Sequence, residues 1–232
     1  EQPLMVTITC TAYNHEAYIR QCLDGFVMQQ TNFRFEAIVH DDASTDHTAD
    51  TIREYAEKYP DIIKPIYETE NQYSKHDGSL QKIMSDACKG KYRAMCEGDD
   101  YWTDPLKLQR QVDYMEKHSD CCMTACATDW IRDGEVFKNH RISDKPRDLT
   151  TKEVILGGGG YLATCSLVYD RIRLDGNIPK WRKMANVGDY PLQIQGTLEG
   201  KLHYFPNTMC VYRYCCKGSW TERYLGERKD QT

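Results

Sequence analysis

The chain has 232 residues, 40% hydrophobic and 28% charged, with 30 basic against 35 acidic side chains and a formal net charge of -5. That balance excludes broad electrostatic binding to nucleic acid and leaves room only for a local basic patch. No apolar run approaches the ~20 residues that cross a bilayer, and Glu1-Gln2-Pro3-Leu4 do not read as a signal peptide, so the expected location is cytoplasmic, with room for contact at the inner face of the membrane.

Met5 to Thr11 is a β-branched and apolar run that breaks at Ala12-Tyr13-Asn14-His15. A helix follows, with Ile19, Cys22, Leu23, Phe26 and Val27 on one face of a 3.6-residue period. Phe35 to His40 predicts the next strand, ending in the polar turn Asp41-Asp42-Ala43-Ser44-Thr45-Asp46, after which Ile52, Tyr55, Ala56 and Tyr59 mark a second helix stopped by Pro60. Strands at Ile62 to Tyr67 and Tyr92 to Cys96, with a helix from Ser79 to Cys88 between them, complete a β-α-β-α-β-α-β order. Such alternation predicts an α/β fold with a mainly parallel sheet that binds ligands beyond the carboxyl ends of its strands, where Tyr13, Asp42 and Asp99 fall.

After a helix from Pro105 to His118 the pattern changes to a mixed half. It contains strands at Met123 to Ile131 and Leu162 to Tyr169, a turn at Asp133-Gly134, and a flexible run at Gly157 to Gly160. A short helix at Asp189 to Leu198 and a strand from His203 to Tyr214, broken by Pro206, close the chain. Both halves, about 1–118 and 119–232, read as one domain sharing a cleft. The eleven cysteines sit mostly in apolar runs and show no zinc-ligand spacing, so reduced core thiols are expected.

Glu97-Gly98-Asp99-Asp100 follows a strand directly. Hard divalent ions such as Mg2+ or Mn2+ take carboxylate oxygens and leave positions open for phosphate, which a short acidic loop supplies. Gly98 would let the backbone approach a ligand. The competing reading is a solvated turn before Pro105. At the second acidic strand end, Ser44 and Asp46 suffice to cap the following helix, which leaves Asp41 or Asp42 free to accept hydrogen bonds from a nucleobase or ribose.

Val6-Thr7-Ile8-Thr9-Cys10-Thr11-Ala12-Tyr13-Asn14, Ile38-Val39-His40-Asp41-Asp42-Ala43-Ser44-Thr45-Asp46, Glu97-Gly98-Asp99-Asp100-Tyr101-Trp102 and Gly188-Asp189-Tyr190-Pro191 together resemble a family 2 glycosyltransferase of the inverting kind, with the Rossmann-like GT-A fold. The resemblance implies that Thr11, Ala12 and Tyr13 line a nucleoside pocket and that Asp42 bonds the base, most commonly uracil. It implies that Glu97 and Asp99 are the acids of a DXD-type motif, with Asp99 or Asp100 reaching the metal, and Glu at 97 adds a methylene to that pattern. It further implies that Asp189 is the base that takes the acceptor proton, a residue that otherwise reads as the N-cap of its helix. The implied donor is a nucleoside diphosphate sugar, the acceptor a glycan or lipid-linked saccharide, and the cofactor Mn2+ or Mg2+. Trp102, Trp130, Trp181 and Trp220 are candidates for stacking on sugars, and Arg213, Lys217 and Arg223 for closing over the diphosphate.

The chain lacks the Gln-x-x-Arg-Trp signature of processive members, which points to single transfer. Two rivals remain open at this level. A nucleotidyltransferase would carry a Gly-rich basic loop where Thr11-Ala12-Tyr13-Asn14 stands. A catalytically inactive nucleotide- or glycan-binding domain would keep UDP binding without turnover.

Overall fold

Val6, Ile8 and Cys10 alternate with Thr7 and Thr9 along β1 (Leu4–Ala12), and both sets are buried in the computed structural model, which describes residues 2–185, 187–216, 219 and 221–222. A strand buried on both faces belongs inside a sheet. β1 pairs in parallel with β2 (Arg34–Asp41) on one side and β4 (Tyr92–Met95) on the other, and β3 (Ile63–Tyr67) extends β2 in the same sense. The intervening helices are α1 (Ile19–Val27), α2 (Thr48–Lys58) and α3 (Ser79–Ala87). Ile19, Cys22, Leu23 and Phe26 form the buried stripe of α1, as their spacing predicts, while Val27 is only half-buried.

The second half inserts antiparallel strands. β5 (Tyr101–Trp102) follows the acidic loop, and α4 (Lys107–Lys117) leads to β6 (Cys121–Arg132), which folds back through Asp133-Gly134 onto β7 (Glu135–His140). Both turn residues have positive φ, 52° and 83°, the geometry that a two-residue hairpin matched to the twist of its strands requires. β8 (Arg147–Leu149), α5 (Thr151–Gly157), β9 (Val168–Asp170), α6 (Arg171–Gly176), α7 (Lys180–Lys183), α8 (Asp189–Glu199) and β10 (Lys201–Arg213) complete the order. The sheet runs β3-β2-β1-β4-β9-β6-β10-β5, with β7 on β6 and β8 on β10. One cluster of buried side chains packs Val6, Ile8, Phe26 and Trp102 with Cys126 and Cys210, so both halves share a core.

Two segments depart from their periodicity. Leu162 to Tyr169 is not a continuous strand: Thr164–Ser166 forms a 3-10 turn, closed by the Ser166 hydroxyl donating to the Ala163 carbonyl at 2.7 Å, and only Val168 and Tyr169 of the run fall in β9. Short hydroxyl side chains bond their own backbone and compete with the ladder. Pro206 does not break β10 but sits in a bulge, because pairing with β6 skips from Phe205 opposite Cys126 to Thr208 opposite Ala127. All eleven cysteines are free thiols, nine of them buried.

Candidate active site

The last two carbonyls of β1 hold the two acid-bearing loops. The Gly98 amide donates to the Thr11 carbonyl and the Asp42 amide to the Ala12 carbonyl, each at 2.9 Å. Thr11, Ala12 and Tyr13 therefore lie between the acidic loop that follows β4 and the turn that follows β2. Tyr13 is 38% exposed there.

Side chains zip the β1 and β2 loops together. The Asn14 amide donates to Ser44 Oγ at 2.9 Å, the Thr45 amide to Asn14 Oδ1 at 2.8 Å, and the Glu16 amide to Asp46 Oδ2 at 3.1 Å. Ser44 thus serves the join between loops rather than a helix cap, and the cap position of α2 is His47. Asn14 and Ala43 take positive φ of 56° and 61° at these bends, a conformation Asn tolerates and Ala adopts only against strain.

Neither aspartate of the turn is idle, contrary to the sequence expectation. Asp41 Oδ2 accepts from the Ser44 amide at 3.3 Å, while its buried Oδ1 has no partner. Asp42 accepts from the Gln72 amide at 2.6 Å and the Tyr73 amide at 3.0 Å, which lock its carboxylate in place, and its backbone carbonyl accepts from the Asn71 side-chain amide at 3.1 Å. A carboxylate at a strand end satisfies backbone amides that would otherwise lack partners, and the β3–α3 connection supplies two of them.

The carboxylates of Glu97, Asp99 and Asp100 lie within 4.8 Å of one another. The loop is strung between two sheet strands: β4 pairs with β1 before it, and β5 pairs with β10 at Cys210 and Val211 after it. The Trp102 indole N–H donates to the Cys165 carbonyl at 2.9 Å and pins its exit. Gly98 is required by packing: a Cβ there would sit 2.9 Å from Ala12 Cβ, 2.9 Å from His15 Nδ1 and 3.2 Å from Ile19 Cδ1.

Crowded acids raise one another's affinity for protons. Glu97 opens to solvent, yet protein surrounding its carboxyl, and then the charges of Asp99 and Asp189, push it up to about 8. Burial, then Asp99 and Glu97, lifts the Asp100 carboxyl well above the usual carboxylate range. Asp100 Oδ1 accepts from the Arg213 amide at 2.8 Å, and its buried Oδ2 makes no hydrogen bond. Three mutually repelling oxygen donors with one unsatisfied buried oxygen fit a hard divalent cation.

Asp189 is the first residue of α8, with Gly188 at the cap position, so its side chain does not cap the helix. Its Oδ2 accepts from the Thr164 hydroxyl at 3.0 Å, and its charge adds to those that raise the Glu97 carboxyl, so Asp189 lies near the acidic loop. Arg213 is already engaged with the protein. Its guanidinium donates to the Asp99 carbonyl and to Gln21 Oε1, stacked near the Tyr18 and Tyr101 rings, and so braces the loop. Lys217, Trp220 and Arg223 lie outside the described residues. A cavity of about 550 Å3 beside the loop is lined by Tyr18, Gln21, Tyr101, Arg213 and Cys216, and none of Thr11, Tyr13 or Asp42 lines it. Sequence reasoning missed Thr164 and the brace at Arg213, whose partners lie 25 and 114 residues away; no local pattern signals such pairings.

Comparison with known proteins gives these features a setting. The model of Glycosyl transferase family 2 matches residues 7–174. "Uncharacterized protein Rv1520" of Mycobacterium tuberculosis is 37% identical over 227 residues, covering 97% of this chain and 63% of that protein. The chain thus spans less than two thirds of the length of that relative. "UDP-Glc:alpha-D-GlcNAc-diphosphoundecaprenol beta-1,3-glucosyltransferase WfaP" of Escherichia coli is 31% identical over 112 residues, 48% of this chain and 41% of that one. Among solved structures, S. aureus TarS 1-349 in complex with UDP-GlcNAc superposes with a TM-score of 0.71 at 16% identity, covering 94% of this chain and 61% of that one. Mannosyltransferase PcManGT from Pyrobaculum calidifontis, in complex with GDP-Man and Mn2+, gives 0.66 at 20% identity, with 93% and 59% covered. These likenesses establish the GT-A fold.

Proposed function

This chain belongs to glycosyl transferase family 2, and on that premise we propose that it moves one sugar from a nucleoside diphosphate sugar, with UDP as the nucleotide, to a hydroxyl of a glycan or lipid-linked saccharide, inverting the anomeric carbon. A lipid-linked acceptor would bring the reaction to the inner face of a membrane. The observation that carries the reading is the acidic loop at the carboxyl end of the parallel strands, whose three carboxylates lie within 4.8 Å of one another. Asp189, held by Thr164, is near enough that its charge helps raise the Glu97 carboxyl.

Thr11, Ala12, Tyr13 and the locked Asp42 receive the nucleoside. Glu97, Asp99 and Asp100 would hold Mn2+ or Mg2+, which supplies positive charge against the leaving diphosphate. Asp189 takes the proton from the acceptor hydroxyl as its oxygen attacks the anomeric carbon opposite the breaking bond to phosphate. The buried Arg213 keeps the acidic loop from drifting as charge develops. The name of the Escherichia coli relative supports both a UDP-linked donor and a lipid diphosphate acceptor.

Calorimetry with UDP and manganese tests the donor side: Asp99→Ala with Asp42→Ala should abolish binding, and unchanged affinity would sink the assignment. Asp189→Asn should bind UDP normally while turnover falls by about 10²–10⁴-fold. Wild-type turnover would remove Asp189 from the mechanism, and UDP binding without turnover of any donor by the native chain would favour a binding domain.

A further inference from the structure

Among the described residues thirteen large hydrophobic side chains are exposed, and seven of them lie between Ile155 and Leu198 on α5 to α8 and their connections. α5, α6 and α7 all pack against α8, so these side chains belong to one group of packed helices and their connections. Single exposed apolar residues are ordinary; a concentration of them marks a contact surface. The most exposed are Leu156 at 75%, Ile172 at 63% and Met184 at 82%, with Trp181 at 42%.

Within that stretch the charge of the protein is inverted: it carries five cations, Arg171, Arg173, Lys180, Arg182 and Lys183, against three acids, Asp170, Asp175 and Asp189, and only Asp175 lies between Arg171 and Gly188, in a chain of net charge -5. Asp175 turns inward, 10% exposed, and pairs with Arg93 at 3.5 Å and Arg182 at 3.3 Å. Arg171 Nε donates to the Gly90 carbonyl at 2.7 Å. The charges left outward are Arg173, Lys180 and Lys183, all positive.

α7 presents its residues in a defined way because Arg182 anchors it. Arg182 Nη1 donates to the Leu174 carbonyl at 2.9 Å and to Gln195 Oε1 at 2.8 Å, so this one cation faces α6 and α8 while its neighbours Trp181, Lys180 and Lys183 are exposed. Trp181 and Met184 are three apart, as are Lys180 and Lys183, which sets apolar and cationic groups side by side on a single turn.

We infer that α7 and its flanks form a docking surface for an anionic lipid bilayer. Indole and thioether side chains enter the interface, and flanking lysines meet the phosphate headgroups. A second copy seated face to face would bring the same uncompensated cations together, at a Coulomb cost that anionic headgroups turn into attraction. Asp189 lies two residues beyond Val187, so docking here sets the acceptor side of the cleft at the membrane. This rests on the lipid-linked acceptor of the proposed function for its purpose, but not for its measurement.

The test is flotation of the full-length protein with phosphatidylcholine vesicles, with and without phosphatidylglycerol, at low and high salt. The wild-type protein should float with the anionic vesicles and release as salt rises. Lys180→Glu with Lys183→Glu should lower the anionic partition about thirtyfold or more, at about one kcal/mol per lysine. Trp181→Ala with Met184→Ala should weaken it about tenfold or more, and both variants should bind UDP as the wild type does. Absence of wild-type flotation, or equal flotation by all three proteins, overturns the inference. So does a wild-type oligomer that the Trp181→Ala, Met184→Ala protein dissolves, which would assign the face to a second copy. Vesicle binding retained in a protein that fails to bind UDP would instead count against the proposed function alone.

Discussion

Replacing Gly98 by alanine isolates what the packing of the acidic loop contributes. The added Cβ meets Ala12 Cβ and His15 Nδ1 at 2.9 Å and Ile19 Cδ1 at 3.2 Å, two contacts closer than real Cβ atoms show. Ala12 Cβ is fixed to the end of β1 and the Gly98 amide is tied to the Thr11 carbonyl, so neither side retreats freely and the loop must lift. Overpacking of this kind costs about 1–3 kcal/mol, and in a domain of this size lowers Tm by roughly 3–10 °C. A shift of a few tenths of an ångström also spreads the three carboxylates, so manganese affinity and turnover should fall further than the stability loss accounts for, turnover by about tenfold to a hundredfold. Gly134→Ala is the control: its φ of 83° strains any side chain, but no atom lies within 4 Å of the new Cβ, which borders the neighbouring cavity without meeting the acidic loop. Thermal melts paired with manganese titration by calorimetry decide the matter. A Gly98→Ala protein with wild-type Tm and wild-type manganese affinity refutes the packing argument.

Arg213→Lys should weaken manganese binding about tenfold to a hundredfold by calorimetry, because an ammonium cannot span the Asp99 carbonyl and Gln21 as the guanidinium fork does. Thr164→Val should reduce kcat about tenfold with UDP affinity unchanged, since it removes only the hydroxyl that orients Asp189. Glu153→Ala tests the capping box of α5. The Arg147 side chain and then Thr150 hold the Glu153 carboxyl down at about 2, so its contribution is fully present above the unfolded value near 4.5 and is lost as pH falls toward 2. A third of that side chain is exposed, which limits the effect to about 1 kcal/mol at neutral pH. The Tm difference from wild type should therefore narrow over that acid range.

The parallel half was legible because its signals are local. β-branched runs at Val6 to Cys10 and Ala37 to Val39, and the stripe Ile19, Cys22, Leu23, Phe26, each declare a period within a dozen residues. The mixed half was less so. At Thr164–Ser166 an apolar run with strand character closes into a turn on its own hydroxyls, and at Pro206 the partner strand accommodates a bulge that sequence reads as a break.

The same division runs through the site. Glu97, Asp99, Asp100 and Asp42 announce themselves as acids placed just after strands, and backbone order alone puts them at one edge of a parallel sheet. The sequence by itself could determine that much, because strand direction and loop position follow from short-range periodicity. Which groups hold those acids was decided by tertiary structure: the Gln72 and Tyr73 amides on Asp42, Arg213 on Asp99 and Asp100, Thr164 on Asp189, and the fit of Gly98 against Ala12. Each of these depends on distances between segments far apart in the chain. A carboxylate's charge is written in its residue type, but its orientation and proton affinity are set by neighbours that only the folded chain brings within reach.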